Sequence, residues 1–493
     1  MDALNIINIV SYLNLVCRMI RLISLKVVLF LVLCSSMQVR AQEKWTLRMC
    51  IDYALENSIA IKQAQINVRT AQITRRAAVE SRYPSLDLST NAGLNFGRNI
   101  DPTTNSFETQ TLGSNSVSIN TGMLIFDGNR INNTVKQAKI DILASQKDLE
   151  TAANDLALQV AQSYLSALLN LENVDLARAN LAQINQQVEQ TRKLVDSGAR
   201  ASGELYEILS QQATSEQNLV IAENNYVFSL LDLKQLLLLS DNYVFEIERP
   251  EIPENIPHPV FSSDATYEYA VNNQPQIAAG DLKLQSAKVG EAIAKAGYYP
   301  TLSIFGQLNT FYSSLAKRVD GFNEELSPPT TIVFNGISQD IQFFNQVPIL
   351  SNKAYFTQFN ENLGIGVGVQ LSVPIYDNGR TRANVERARL TQYSTSLQNE
   401  QLRQQLRNNV ERAVTDANAG KTAYEAAKKS SEAAAIALRD AERRYAVGAA
   451  NGFELTNAQT RVATTGQQEI IAKYEYIFRL KVVDFYSGTP ISL

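Results

Sequence analysis

The chain has 493 residues with 45 basic and 49 acidic side chains, a net charge of −4 and one histidine. This near balance of charge gives no basic surface for a nucleic acid, so we expect no nucleic-acid partner. One histidine leaves no histidine pair for a zinc site and no credible Ser-His-Asp arrangement, and the chain lacks a P-loop and a dinucleotide-binding glycine motif. We therefore predict a protein that is not an enzyme and holds no cofactor or metal.

Residues 1–41 have the pattern of a secretion signal peptide. Basic residues precede an apolar run at 27–34, and a small-residue cleavage site ends at Ala41. A membrane anchor is the weaker interpretation, because this run is shorter than the ~20 residues that a spanning helix needs. Lipidation of Cys34 is disfavoured by the large residue before it. After cleavage Cys50 is the only cysteine, which excludes an internal disulfide.

Residues 42–84 are predicted to be helical, and residues 85–126 to form a pair of strands. Apolar residues occupy nearly every second position in 86–96 and 117–125, and the positions between them are mostly Gly, Ser and Asn. Strands of about 11 residues with one apolar and one polar face suit a membrane barrel that has lipid on one side and water on the other. Half of a soluble β-sandwich is the competing interpretation.

Residues 127–249 are predicted to form a long antiparallel helical hairpin. The 69 residues from Asn129 to Ser197 contain neither Gly nor Pro. As one helix they would be about 100 Å long. Gly198 is expected to end this helix, because glycine tolerates the left-handed backbone found there. A second apolar stripe then predicts the returning helix, from about residue 203 to residue 240.

The rest of the chain repeats this plan after a Pro-rich linker at 250–264, which we expect to be extended and semi-rigid. The linker holds the single histidine, His258, which we expect to be a solvated loop residue. The second copy is predicted to consist of a helix, a strand pair and a helical hairpin, at 265–300, 301–376 and 377–493.

The spacing between matching motifs locates the difference between the copies. It is 216 residues for the Tyr-Pro pair before the first strand of each copy, but 250 residues for the turn glycines Gly198 and Gly448. The second copy therefore holds 34 extra residues between Leu302 and Ile375. We predict that they lie in a long surface loop at 312–361. A repeat of this length indicates a duplicated structural unit.

Four strands cannot close a barrel, since about eight are needed. Other copies of the chain must therefore complete it. Two copies would give a narrow, filled barrel, and three would give a wider one that is compatible with a polar lumen. Long loops of membrane barrels face outside the cell, so we expect the helical hairpins on the periplasmic side.

Short motifs in a fixed order, several of them duplicated, cover nearly the whole mature chain. They are Trp45-Thr46-Leu47, Ile51-Asp52-Tyr53-Ala54-Leu55-Glu56-Asn57, Tyr83-Pro84, Phe126-Asp127-Gly128, Tyr376-Asp377-Asn378-Gly379-Arg380, Arg444-Tyr445-Ala446-Val447-Gly448, Glu454-Leu455 and Ala458-Gln459. In this order they resemble the TolC-like outer-membrane efflux proteins. The resemblance implies an α+β membrane protein: a homotrimer whose transmembrane β-barrel, with four strands per protomer, continues into a long periplasmic α-helical coiled-coil barrel, built from two internal repeats.

The resemblance further implies partners and a function. The partners are outer-membrane lipid, a periplasmic adaptor protein and an inner-membrane transporter. The function is the outer-membrane channel of a tripartite efflux or type I secretion system, a passive exit duct for small molecules or polypeptides. The competing hypothesis is a structural or adhesive periplasmic coiled coil without a pore, whose strands would pair as an ordinary soluble sheet.

A periplasmic entrance at the two hairpin turns is also implied by the resemblance. Glu204 and Glu454 fall where the family often has an acidic residue, and Asn457 falls where a second acid can occur. Carboxylates from three protomers would form a ring that attracts cations. The alternative is that these are ordinary first-turn helix acids, which the helix dipole favours. The predicted adaptor-docking turns are Gly198, Ala199, Val447, Gly448 and Ala449.

Three further residues are predicted to hold the entrance closed by linking neighbouring coils: Gln187, Glu442 and Tyr445. Ordinary solvated or packing positions on a long helix are the alternative. Ala450 stands where some members of the family carry a basic residue after the second turn glycine. This departure argues against a salt-bridge lock at that position.

Overall fold

The computed structural model describes residues 44–100, 105–109, 111–240, 245–250, 256–257, 259 and 261–489. The predicted signal peptide with Cys34, part of the Pro-rich linker and His258 lie outside the described residues.

The order of helices and strands is the same in both halves of the chain: two short helices, a strand, a connection, a second strand and two long helices. The first half contains α1 (Leu47–Asn57), α2 (Ile59–Glu80), β1 (Ser85–Asn95), β2 (Arg98–Ile100), β3 (Phe107–Thr109), β4 (Leu112–Phe126), α3 (Arg130–Asp196) and α4 (Ser202–Leu236). The second half contains α5 (Ser263–Asn273), α6 (Pro275–Lys295), β5 (Thr301–Ser313), β6 (Lys317–Leu326), β7 (Thr330–Phe334), β8 (Ile337–Ile341), β9 (Phe344–Asn352), α7 (Tyr355–Glu361), β10 (Gly364–Ser372), α8 (Arg380–Ala446) and α9 (Gly452–Tyr486).

The two longest helices, α3 and α8, have 67 residues each and follow the last strand of their copy. A carboxylate fixes the start of both. The amide of Ile131 donates to Asp127 at 2.9 Å, and the amide of Thr381 donates to Asp377 at 2.8 Å. These bonds satisfy backbone N–H groups that a helix start otherwise leaves without partners. None of the described helices combines the length and the apolarity that crossing a membrane requires.

The short helical segments are interrupted, whereas the sequence predicts one helix at 42–84 and one at 265–300. Ser58 separates α1 from α2, and Gln274 separates α5 from α6, with ψ angles of 133° and 125°. Pro275 explains the second break, because proline disfavours helical backbone in the residue before it. The expectation of a single helix is therefore wrong in both copies.

The long strands form one antiparallel sheet in the order β1-β4-β5-β10, so the β4–β5 pair joins the two halves of the chain. One row of neighbours across the sheet is Leu88, Ile119, Leu308 and Ile365, and the next row is Ser89, Ser118, Asn309 and Gly364. The sheet thus has an apolar face and a polar face, as the alternation predicts. Within the described chain, β1 and β10 each pair with one strand only, so each leaves an open edge.

The extra segment of the second copy is more regular than the predicted surface loop. β6 pairs with β9, β7 pairs with β8, and the short helix α7 then leads into β10. The segment is rich in Thr, Val, Ile and Phe, which favour extended backbone. It therefore forms an ordered β-arm at the end of the sheet that lies away from the long helices.

The main buried cluster lies where α1, the middle of α3 and the ends of α4 and α9 meet. Tyr164 of α3 is buried, and its hydroxyl lies 3.0 Å from the Trp45 carbonyl oxygen and 2.8 Å from that of Glu248. Cys50 belongs to the same cluster, and burial raises the pKa of its thiol to about 12. The start of the described chain and the segment that leads into the linker are thus both fixed on α3.

Candidate functional site

The two hairpin turns share one backbone geometry. Gly198 and Gly448 have φ angles of 76° and 75°, a region that glycine adopts without strain. The amide of Ala199 donates to the Leu194 carbonyl at 2.9 Å, and the matching bond of the second turn is 2.8 Å long. This is the Schellman arrangement, which ends each long helix at its glycine and reverses the chain.

The predicted docking residues lie at the surface of these turns. Gly198, Ala199, Gly448 and Ala449 are exposed, and 80% of the Val447 surface is accessible. The turns are therefore free, within one protomer, to contact another protein.

The helices that follow the turns start differently. The side chain of Asn451 caps α9 by accepting a hydrogen bond from the Glu454 amide at 2.9 Å. Ala201 occupies the same position before α4 and has no side-chain acceptor. The first turn of α4 therefore lacks the side-chain cap that stabilises α9.

Arg200, two residues after the first turn glycine, contacts both hairpins. Its guanidinium lies 3.5 Å from the Glu204 carboxylate, donates to the Tyr445 carbonyl at 3.0 Å and lies 4.5 Å from the centre of the Tyr445 ring. The Tyr445 hydroxyl donates to Glu204 at 3.3 Å. We call these three residues the Arg200 cluster. The first hairpin supplies its two charges, and the second supplies its ring.

The Arg200 cluster is largely shielded from water. The side chains of Arg200 and Glu204 are 18% and 24% exposed, and Tyr445 is 9% exposed. Ion pairs at such sites are screened by salt less than exposed pairs are. A cation over an aromatic ring adds about 0.5–2 kcal/mol, with the larger values where water is excluded. The cluster is therefore suited to hold the two hairpin turns together.

The other predicted entrance residues lie in a more open setting. Glu454 forms an ion pair with Arg444 at 3.3 Å, with both side chains about half exposed. Asn457 is exposed one turn further along α9. Each predicted entrance carboxylate, Glu204 and Glu454, thus lies beside an arginine, which reduces the net negative charge at the turns.

Two more contacts join α3 to the second hairpin. Gln183 donates to Glu442 at 2.9 Å, and Gln459 donates to the buried Gln187. The three residues predicted to link coils, Gln187, Glu442 and Tyr445, therefore all contact the other hairpin of the same protomer.

Sequence reasoning missed Arg200, Gln183 and Gln459. The sequence did contain a clue to the role of Arg200. Arg200 follows the turn glycine Gly198 by two residues, just as Ala450 follows Gly448. The basic residue that is missing from the second turn is thus found at the matching position of the first. The two glutamines have no such signal, since any polar residue of a long helix has the same local pattern.

The family described as outer membrane efflux protein matches residues 50–237 and 266–481, well over half of the chain. The chain is similar to outer membrane protein OprJ of Pseudomonas aeruginosa, with 22% identity over 423 residues that cover 84% of this chain and 78% of OprJ. It is also similar to outer membrane protein TolC of Vibrio cholerae, with 23% identity over 343 residues, or 68% of each chain.

Solved structures share the fold. CusC matches with a TM-score of 0.72 and 17% identity over 92% of this chain and 96% of CusC. The outer-membrane channel OprN matches with a TM-score of 0.70 and 15% identity over 90% of both chains. The fold is thus that of TolC-like channels, and these similar proteins are channel proteins rather than enzymes. The chain belongs to the outer membrane efflux protein family and is an outer-membrane channel component of an efflux system.

Proposed function

We propose that three copies of the chain close into one channel that crosses the outer membrane and extends into the periplasm. The observation that carries this proposal is the open sheet, because its four strands are too few to close and leave edges at β1 and β10. Pairing β10 of one copy with β1 of the next, three times, gives a closed barrel of the even strand number found in bacterial barrels. The two faces of the sheet support this arrangement, with the apolar face toward lipid and the polar face toward the lumen.

The long helical hairpins continue the wall of the channel on the periplasmic side. α3 and α8 start just after β4 and β10 and end at the two glycine turns, about 100 Å away. The turns then form the periplasmic entrance of the duct. We propose that they dock a periplasmic adaptor protein, which connects the duct to an inner-membrane transporter that supplies the energy.

The docking surface in this proposal consists of the exposed turns and the groove beside them. The groove has a volume of about 1100 Å³ and lies between α3 and the second hairpin. Gln186, Gln190 and Lys193 of α3 line it together with members of the Arg200 cluster. Five glutamines alternate there with charged side chains of both signs, a polar lining that suits a partner helix that must bind and be released.

We propose that the Arg200 cluster holds the entrance closed. Opening the entrance requires the two turns of a protomer to separate, which would break the contacts of Arg200 with Tyr445. The contacts of Gln183 and Gln187 would oppose the same movement. Arg200 and Glu204 lie on the same hairpin, so their ion pair would persist on opening, and the contacts across to Tyr445 are the ones that would be lost.

Conductance of the purified protein in a planar lipid bilayer tests this proposal. We expect the wild-type protein to insert and to show small, stable conductance steps, and Arg200→Ala to raise the step size severalfold and to increase cation selectivity. A matched control is Arg192→Ala, which removes an arginine that, in the described part of the chain, forms an ion pair within α3, with Glu189. The control should conduct like the wild type.

Absence of any conductance, for Arg200→Ala as well, would rule out the duct. Equal conductance of the wild type, Arg200→Ala and Arg192→Ala would leave the duct intact but rule out the closing role of the cluster. A trimer band that resists mild detergent is the expected companion result, and a protein that is monomeric under all such conditions would contradict the shared barrel.

A further inference from the structure

The short helix α7 lies on the apolar face of the sheet, at the end away from the long helices. The Thr310 hydroxyl donates to the Phe359 carbonyl at 2.7 Å, and the Tyr355 hydroxyl donates to Asn115 at 2.7 Å. Thr310 and Tyr312 have the same parity along β5 as Leu308, which belongs to the apolar row. The helix therefore covers the outer end of the face that we assign to lipid.

A buried glutamine fixes α7 in this position. Gln358 is 1% exposed. Its side-chain oxygen accepts from the Ser313 amide at 2.9 Å, and its side-chain nitrogen donates to the Ser313 and Lys353 carbonyls at 3.0 and 2.9 Å. Its side-chain oxygen and both N–H groups are thus bonded to the backbone of β5 and of the segment before the helix. These hydrogen bonds hold α7 against the sheet.

The outward side of α7 is aromatic. The Tyr355 ring lies 4.8 Å from the ring of Tyr312 and 4.6 Å from that of Phe359. Phe356 projects beyond this group and is 83% exposed. An ion pair joins Lys353, just before the helix, to Glu361, its last residue. Aromatic rings beside polar groups, at the end of an apolar band, are typical of the membrane–water interface.

We infer that α7 is an interfacial helix whose aromatic side, with Phe356 at its centre, inserts into the outer leaflet of the membrane. The occupant of this surface is lipid, because the surface is continuous with the lipid-facing side of the sheet. A neighbouring protomer is a poorer fit. α7 sits over β5 and contacts β4, the two central strands, whereas a neighbour would pair at β1 and β10. The inference rests on the orientation of the sheet given under the proposed function.

Three variants, each with one added tryptophan, test this inference. The fluorescence of the native tryptophan, Trp45, provides the background in each variant. Each variant is reconstituted as the full chain in phosphatidylcholine vesicles with bromine atoms at a defined depth of the acyl chain, and its emission is compared with that of the wild type. Phe356→Trp is the test position. Val369→Trp, on the apolar face of β10, is the lipid reference, and Ile337→Trp, in the β-arm, is the aqueous reference.

We expect shallow bromines to quench Phe356→Trp severalfold more strongly than Ile337→Trp, and aqueous iodide to show the reverse order. Quenching of Phe356→Trp that matches Ile337→Trp would overturn the inference. Resistance of Phe356→Trp to both quenchers would also overturn it, because the ring would then be covered by protein. If Val369→Trp is not quenched by bromines at any depth, the membrane orientation of the sheet itself is wrong. The experiment thus distinguishes a failure of the inference about α7 from a failure of the proposed sheet orientation.

Discussion

The two periplasmic turns have the same backbone but different side chains. Both end a long helix with a glycine at φ near 75° and with the same pair of hydrogen bonds. Arg200 and Ala201 of the first turn are replaced by Ala450 and Asn451 in the second. The backbone of a turn is thus set by one glycine, while its neighbours are free to take separate roles. One turn carries the cation that joins the hairpins, and the other carries the better helix cap.

The far ends of the returning helices give a second comparison. Two residues after the end of α4, Leu238 has a φ of 56°, and two residues after the end of α9, Gly488 has a φ of 82°; the two positions are one repeat spacing of 250 residues apart. Both positions make the same hydrogen bonds. A residue with a side chain is strained in this region, whereas glycine is not. At this position the first copy has a leucine, Leu238, which is less favourable there than the glycine of the second copy.

Moving the arginine from one turn to the other should have the largest effect. We expect Arg200→Ala combined with Ala450→Arg to conduct like Arg200→Ala alone. Ala450 is 6% exposed and packs in a cluster with Leu438, Tyr445 and Leu455, so an arginine there would have to disrupt this packing before it could take the place of Arg200. Overpacking a buried site also costs about 1–3 kcal/mol. Bilayer conductance and thermal denaturation measure the two effects. Restoration of the small wild-type conductance would show that the position of the arginine is unimportant.

Exchanging the residues at the helix ends should have the next largest effect. Gly488→Ala should lower the free energy of unfolding by roughly 1–2 kcal/mol, since alanine is strained at this φ. Its Cβ would also collide with the Tyr269 hydroxyl. Leu238→Gly should raise stability by up to about 1 kcal/mol for the converse reason. Far-ultraviolet circular dichroism during heating compares the variants, and equal melting temperatures for both would contradict the assignment of strain.

Exchanging the helix caps should have a similar or smaller effect. Asn451→Ala removes the cap of α9 and should cost ~1 kcal/mol, whereas Ala201→Asn gives α4 a cap and should add up to about 1 kcal/mol. Hydrogen exchange at the amides of residues 202–205 and 452–455 reports each helix start separately. A loss of protection at 202–205 in Ala201→Asn would show that this turn cannot accept the cap geometry.

The smallest expected effect depends on pH. Hydrogen bonds from Arg389 and Lys295 hold the pKa of the Glu291 carboxyl below its usual range. A lowered folded-state pKa means that this stabilisation is complete above the unfolded pKa of about 4.3 and is lost as the pH falls through the folded value. Glu291→Gln should therefore lower the melting temperature at pH 7, and the difference should start to shrink near the unfolded pKa of about 4.3 and disappear only below the lowered folded pKa. Glu150→Gln, which breaks a pair within α3, is the control and should show little change at either pH.

The sequence predicts the elements of this fold closely where a local cause is present. The absence of Gly and Pro between Asn129 and Ser197 predicts α3, and Gly198 predicts its end. The alternation of apolar and polar residues along the strands predicts the apolar face and the polar face of the sheet. The Arg200 cluster could not be predicted in this way, because Arg200 and Tyr445 are 245 residues apart and meet only when the two hairpins pack. The β-arm was missed for a related reason, since its strands pair with each other and show no clear two-residue period.

The open edges of the sheet have a consequence for how the channel is made. Before assembly, a single protomer carries two unpaired strand edges and an apolar sheet face at the same time. Exposed edges of this kind pair readily with other chains and lead to aggregation. In the proposed trimer, three copies would therefore have to meet before these edges pair with other chains, and the rate of barrel closure would depend steeply on their local concentration. Under that proposal, the supply of the chain would limit how much channel is formed.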